Sequence, residues 1–565
     1  MNQSETLHWR SLVNAGLLAG VVVVYTGLIG MIEVFSARGI ITGVISLAEL
    51  LILAPPLIAG FVIARRTLKT SGVGRTVFNS IVVGLISSLL PILLIFIITF
   101  FDVRTNVNIR NMFVNASTDL VDLLTFGLGV GVGSLALMGA FAFMGILGGV
   151  MMLLPIRIRG AVMAGLAWTL SIGMLGDLVN QILRNLFGKA AGKAVFTKGA
   201  LDPAPALVIF VVAALLTYLW SGQRDNVRAR YNSMGSGGKT ATQRIGGGLL
   251  AIFLLMLPWI LGTYLSEVLS NIGLYVLMAL GLNIAVGLAG LLDLGYVTNF
   301  AVGAYTMGVL TSTGPLGRLG LNFWMVLPIA VLAAMFTGFV LALPVLRMRG
   351  DYLAIATLGF GEIIRILALS DWLSPLIGGA QGVLFIPKPS IGGFVFDTPQ
   401  SIYYIILFAS FLMLFISLRL NNSRTGRKWM AMREDEDAAG AMGIDTTVAK
   451  LLAFTLSAAS GGLAGAIFAS KLGTIFPHSF SLLISINVLS IIIVGGMGSI
   501  PGVIVGAVVL IGMPELLREF SEFRLLLYGA LLITMMLVRP EGLWPSAVRR
   551  RELAHDEAAA AAVGD

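Results

Sequence analysis

The sequence predicts an all-α, polytopic transmembrane helical bundle with about 16 membrane segments, about six in an N-terminal part and about ten beyond it. Three observations carry this. The chain is 57% hydrophobic and only 12% charged, with a mean hydropathy of +0.95. Soluble domains carry about 25% charged residues, so composition alone points to the bilayer. The apolar runs are continuous over about 18 residues or more, unlike the alternating segments of about ten that a β-barrel needs. Finally, Lys and Arg gather in short loops between runs, so the net charge of +9 follows from membrane orientation and implies no nucleic acid. With no cysteine, disulfides, thiol catalysis and thiolate metal sites are excluded. The three histidines, His8, His478 and His555, form no ligand pair at metal spacing.

The first apolar run, 12–32, is too long for a signal-peptide core and reads as a retained span. The N-terminal part carries runs near 12–34, 40–63, 77–101, 121–153, 160–179 and 203–220. The 121–153 run suits a tilted span, or a span plus a half-helix. Basic loops at Arg65, Arg66, Lys69 and Arg75, at Arg157 and Arg159, and at Arg224 to Arg244 place both ends of this part in the cytoplasm. The opposite loop, 180–202, is also basic, against that assignment, and its ILRNLF segment suits a short amphipathic helix. Residues 1–220 form an accessory transmembrane domain of unassigned role, 221–245 a Gly/Ser-rich cytoplasmic linker, 246–545 a second membrane domain, and 546–565 a disordered cytoplasmic tail. Arg347, Arg349, Arg419, Arg539 and Arg549 to Arg551 orient the second domain with the segment 421–450 and the C-terminus inside. No internal repeat is visible.

That segment, NNSRTGRKWMAMREDEDAAGAMGIDTTVAK, is the main polar island between two apolar runs. Arg424, Arg427, Lys428 and Arg433 precede Glu434, Asp435, Glu436 and Asp437, and Ala438, Ala439 and Gly443 follow. As a charge run alone it is a solvated loop. Small residues flanked by oriented charges favour a docking surface for a soluble partner.

From here the sequence resembles a family. Asp437-Ala438-Ala439 with Gly443 looks like the cytoplasmic loop by which permeases of ATP-binding-cassette importers engage their ATPases. More specifically, residues 245–545 resemble the branched-chain amino acid permease subunit that pairs with a second, different permease. The matching segments are GLNIAVGLAGLLDLGYV, FAVGAYTMGVL, LRMRGDYLAIATLGFGEIIRIL, GRKWMAMREDEDAAGAMGID, VGGMGSIPGVIVGA and PELLREFSEFRLLLYGALLITMMLVRPEGLWP, in the family's order and covering just over half the chain. Thr298 and Asn299 stand where the family more often has small or aromatic apolar residues, and the N-terminal part exceeds the family's usual short extension.

The remaining motifs are candidates for the translocation path or its gate. Gly287, Gly290 and Gly295 surround Asp293 before Tyr296 inside apolar sequence, which suits a broken helix near the path or a helix end at the headgroups. Thr357 and Gly359 share a span with Glu362 and Arg365, whose spacing allows a pair that packs helices or gates the path. The loop 371–400 is the candidate contact for a binding protein, and GGMGS at 495–499 a tight turn or re-entrant break. SMGSGGKT at 233–240 lacks the first glycine and the preceding strand of a phosphate loop, and the glycines at 127–133 lie inside an apolar run. With no nucleophile–base pair and no ATPase motif, the chain reads as no enzyme.

The resemblance implies a permease moving branched-chain amino acids or related small polar metabolites across the inner membrane. It implies two ATPase subunits carrying ATP and Mg, a second permease and an extracytoplasmic substrate-binding protein, with no cofactor in this chain. The alternative is a stand-alone secondary transporter or channel with an N-terminal regulatory domain. Such proteins place broken helices in symmetric pairs, and no such symmetry is visible.

Overall fold

The computed structural model describes residues 3–68, 72–104, 115–233, 235–345, 348, 350–539 and 541–546. Arg347, Arg349, Arg549 to Arg551 and the expected disordered tail beyond 546 lie outside them. The described chain is helical, as the bilayer demands, because only a helix satisfies every backbone N–H and C=O within one segment. Among the described residues, 11 helices are long and apolar enough to cross a membrane, or 12 with one bent pair. The chain divides into two compact units, Met1–Leu250 and Ala251–Asp565.

The first unit holds α1 (Gln3–Leu28), α2 (Met31–Ser36), α3 (Leu47–Thr67), α4 (Val73–Arg104), α5 (Thr118–Leu124) and α6 (Val130–Leu153). It continues through α7 (Ile156–Met174), α8 (Gly176–Phe187), α9 (Lys189–Val195) and α10 (Pro203–Ser233). The long 121–153 run becomes a short helix, α5, and a full span, α6. Its phase changes at Gly127 and Gly129, both at positive φ. ILRNLF lies on the amphipathic α8, bent 83° from α7. Four two- or three-residue strands, β1 (Gly39–Ile41), β2 (Ile45–Ser46), β3 (Phe196–Thr197) and β4 (Ala200–Leu201), join two loops in the order β2-β1-β4-β3. α3 opens with a reciprocal cap: Ser46 Oγ accepts from Glu49 N–H at 3.2 Å, and Glu49 accepts from Ser46 N–H at 2.7 Å.

The described residues of the expected linker, 221–245, are helical except Gly235. α10 runs to Ser233, and α11 (Ser236–Asn283) starts three residues later. Its Gly and Ser content weakens a helix without forbidding one.

The second unit builds on α11, whose two halves meet at Gly262, φ 77°. There follow α12 (Tyr296–Thr311), α13 (Phe323–Val345), α14 (Asp351–Leu369), α15 (Ser374–Ile377), the hairpin β5 (Ser390–Ile391) and β6 (Phe394–Val395), and α16 (Pro399–Asn421). Then come α17 (Arg424–Glu434), α18 (Glu436–Ala441), α19 (Thr446–Leu472), α20 (Leu482–Gly495), α21 (Ile500–Ala507), α22 (Met513–Leu516) and α23 (Arg524–Val538). α19 is the central post, with α12 and α13 packed along it. Its inward face is small, from Ser457 through Gly461 and Gly465. A Cβ on Gly465 would lie 2.0 Å from the Phe300 carbonyl oxygen, and one on Gly303 2.2 Å from that of Gly462. Backbones touch here, the mode of helix association that works where lipid removes the hydrophobic drive.

Candidate functional site

Two features of the second unit meet at one end of α19. The first is a broken helix. α11 widens into a π-turn at Ile284–Leu288, leaves helical geometry through 289–295, and resumes as α12. Gly290 turns at φ 72°. A break inside an apolar bundle frees backbone groups that need new partners. Side chains supply them here. Thr357 Oγ1 accepts from Leu294 N–H at 3.1 Å, Asp293 Oδ1 from Gly295 N–H at 2.9 Å, and Ser485 Oγ from Val297 N–H at 3.0 Å. Tyr296 exchanges a hydrogen bond with Ser460 at 2.9 Å. Asn283 Oδ1 accepts from Gly498 N–H at 3.0 Å, joining the break to the turn in GGMGS, where Gly498 has φ 75°. Asp293 is 3% exposed, at neither lipid headgroup nor water. Asp293, Tyr296 and Thr357 therefore hold the break in shape.

The second feature is the polar island, folded as α17 and α18. Ser423 Oγ caps α17 through Gly426 N–H, and Asp435 Oδ1 caps α18 through Ala438 N–H at 2.9 Å. Gly443 ends the motif at φ 85°. Two anchors tie the island to α19. The fully buried Trp429 donates its indole N–H to the Ala449 carbonyl at 2.8 Å, and Glu436 pairs with buried Lys450 at 2.6 Å. Ala439 faces inward, while Arg427, Glu434, Asp435, Asp437, Ala438 and Gly443 are on the exposed side. Met442, at the tip, is 85% exposed.

Arg433 joins the two features. Its guanidinium Nη1 donates to the Gly287 carbonyl at 2.6 Å, and Nη2 lies 3.4 Å from the Glu434 carboxylate. The side chain crosses Gly290 so closely that a Cβ there would lie 2.6 Å from Arg433 Cγ. Gly287, Arg433, Glu434, Gly498, Pro501 and Trp544 line the resulting cavity of about 750 Å³. Sequence reasoning grouped Arg433 with the docking charges. It gave no sign of Asn283, Ser460, Ser485, Trp429 or Lys450, whose partners are remote in the chain. A buried lysine at a span's start and a tryptophan inside a polar island were the available signals.

Farther along α12, toward the 473–480 turn, lies a mostly apolar cavity of about 380 Å³ between α12, α14 and α15. Arg365 lines it, while Thr357, Gly359 and Glu362 do not. Arg365 pairs with Glu362 through Nε and Nη2, each at 2.8 Å. A Cβ on Gly359 would meet nothing within 4 Å, so that glycine serves no close helix contact in this chain. Beyond the cavity, Lys471 closes the far end of α19 on Glu267 at 2.8 Å and Asn271 at 2.5 Å. Lys388, from the loop after α15, donates to the Lys471 carbonyl, and burial holds its ammonium below the ordinary lysine range. Among the described residues, no group of three His, Cys, Asp or Glu side chains is placed to hold a metal ion.

Residues 264–538 match the family model described as the permease component of the branched-chain amino acid transport system. Two curated proteins named high-affinity branched-chain amino acid transport system permease protein LivM, from Salmonella typhimurium and Escherichia coli, are each 40% identical over 331 residues, covering 54% of this chain and 76% of theirs. The chain belongs to the branched-chain amino acid transport permease family. The high-affinity branched-chain amino acid transport system permease protein LivH of Escherichia coli is 25% identical over 289 residues, covering 48% of this chain and 90% of its own. No solved structure matches. Family membership and the helical bundle make this a multi-span transport permease, a class of transport subunits and not of enzymes. The family-model match begins after the first unit ends.

Proposed function

We propose that the chain is the permease subunit of an ATP-binding-cassette importer that brings branched-chain amino acids or related small metabolites through the inner membrane. The observation that carries this is the Arg433–Gly287 hydrogen bond, which ties an exposed, small-residue island to a broken helix inside the bundle. A partner that moves α17 and α18 thereby moves the break directly. Under the positive-inside rule the island is cytoplasmic, as are both chain ends, so the partner is a soluble ATPase on that face. Two such subunits, holding ATP and Mg between them, would close on nucleotide. A second permease would complete the path, and a binding protein would deliver substrate near the 371–400 loop. Residues 1–220 would pack as an accessory to this machinery. Arg427, Glu434, Asp435, Asp437, Ala438 and Gly443 present the docking face in this reading, with Ala439 packed beneath it. Gly287, Gly290, Asp293, Tyr296 and Thr357 form the element it moves.

The test is a mild-detergent pull-down of the tagged chain from its own host, with subunits identified and counted, beside Ala438→Arg. The wild type should bring two ATPases and a second permease. The variant should keep the permease and lose the ATPases, because a guanidinium would stand on the exposed small face of α18. An unchanged complex in the variant would sink the docking role, and a wild-type chain that comes alone would sink the importer.

A further inference from the structure

We propose that the cavity between α12, α14 and α15 is a transient site for the transported amino acid, taking its branched apolar side chain against the aliphatic walls and its carboxylate at Arg365. This rests on the transport reading above and adds a binding site to it. At about 380 Å³ the cavity falls in the range of about 300–1,000 Å³ typical of small-ligand pockets. Its walls are Val297, Ala301, Val309, Ile364 and Ala368, a lining suited to an aliphatic side chain.

Two polar atoms on this lining have no partner. Thr298 Oγ1 and Tyr305 Oη are both removed from solvent and make no hydrogen bond, and Thr298 is only 1% exposed. Buried hydroxyls are rarely left unpaired without a reason. A polar group of a bound ligand within reach of either hydroxyl would give it the partner it lacks. At the rim, Arg365 spends Nε and Nη2 on Glu362 and keeps its Nη1 amino group for a second carboxylate. Because Nη1 is additional to the Glu362 pair, a ligand carboxylate bound there leaves that pair intact. The cavity lies in the half of the bundle next to α15 and the Pro477–Ser479 turn, which the positive-inside reading puts on the delivery side.

The absence of cysteine makes the test clean. Thr306, on the cavity wall, is replaced in the assembled transporter as Thr306→Cys. Its labelling by a small methanethiosulfonate reagent is followed in membrane vesicles, with wild-type leucine uptake measured in parallel. Leucine at ten times its dissociation constant should slow labelling about tenfold by mass action, and aspartate should not. Ala301→Leu, which fills the cavity, should lower leucine uptake about tenfold relative to alanine uptake. Labelling indifferent to leucine, with wild-type uptake intact, overturns the cavity and leaves the importer standing; the space would then hold a lipid chain. Protection by leucine without wild-type uptake overturns the importer and leaves the site. Equal loss of leucine and alanine uptake in Ala301→Leu makes the cavity a packing feature and overturns its role in recognition.

Discussion

Arg433 lies in the polar island, yet its donor reaches a backbone carbonyl in the break of another helix. A hydrogen bond from a charged group contributes about 1.5–3 kcal/mol, more than most single surface contacts. Removing it frees the Gly287 carbonyl and unties the island from the break. Arg433→Gln should therefore lower ATP-driven uptake about tenfold or more while the ATPases still co-purify, because the exposed docking face is untouched. Uptake and hydrolysis measured together in proteoliposomes decide this, and parallel loss of ATPase binding would move Arg433 to the docking surface. Glu436 carries a different lesson. Its carboxylate is held by Lys450 at 2.6 Å, so it orients α18 against α19 and its charge is not simply on display.

At the scale of the element, the crossing of α12 with α19 sets the fold of the second unit. Lipid tails are as apolar as the side chains, so helices gain from contact only when they approach closely. Gly465 and Gly303 permit that approach, and a side chain at either would meet backbone oxygen, which cannot turn aside. Overpacking of this kind costs about 1–3 kcal/mol. Gly465→Val should lower the thermal unfolding midpoint in detergent by several degrees, and Gly440→Ala should leave it unchanged or raise it. A Cβ on Gly440 meets nothing within 4 Å, and alanine is the better helix former. Equal midpoints for Gly465→Val and wild type would show that the crossing relaxes freely.

For the whole molecule, orientation follows from where the basic loops lie. Single cysteines in this cysteine-free chain give it directly. Trp372, 79% exposed after α14, and Met442, 85% exposed in the island, lie in loops that the basic-loop count assigns to opposite sides. With a membrane-impermeant maleimide on intact cells, Trp372→Cys should label at once and Met442→Cys only after permeabilisation. The reverse pattern would invert the bundle and put the island outside, where no ATPase could reach it.

The all-α membrane class and the island as a separate polar element were legible in the chain, because each depends on local composition; against the expected 16 or so segments, 11 or 12 helices among the described residues are long and apolar enough to cross a membrane. A long apolar run in a bilayer must become a helix, and a polar run between two spans must leave the membrane. The family was legible for the same reason, through contiguous segments such as 281–297 and 426–445. The two parts of the 121–153 run and the helical form of 221–245 were less so, since polarity does not say whether a solvated segment coils. What only the tertiary structure decided are pairings across distance. Arg433 meets Gly287, 146 residues away; Thr357 meets Leu294, 63 away; and Ser485 meets Val297, 188 away. Likewise, Arg365 lines a cavity that Glu362 does not. Periodicity places a residue on its own helix, but which neighbour that helix meets, and which backbone atoms a break leaves open, is fixed only when the helices pack.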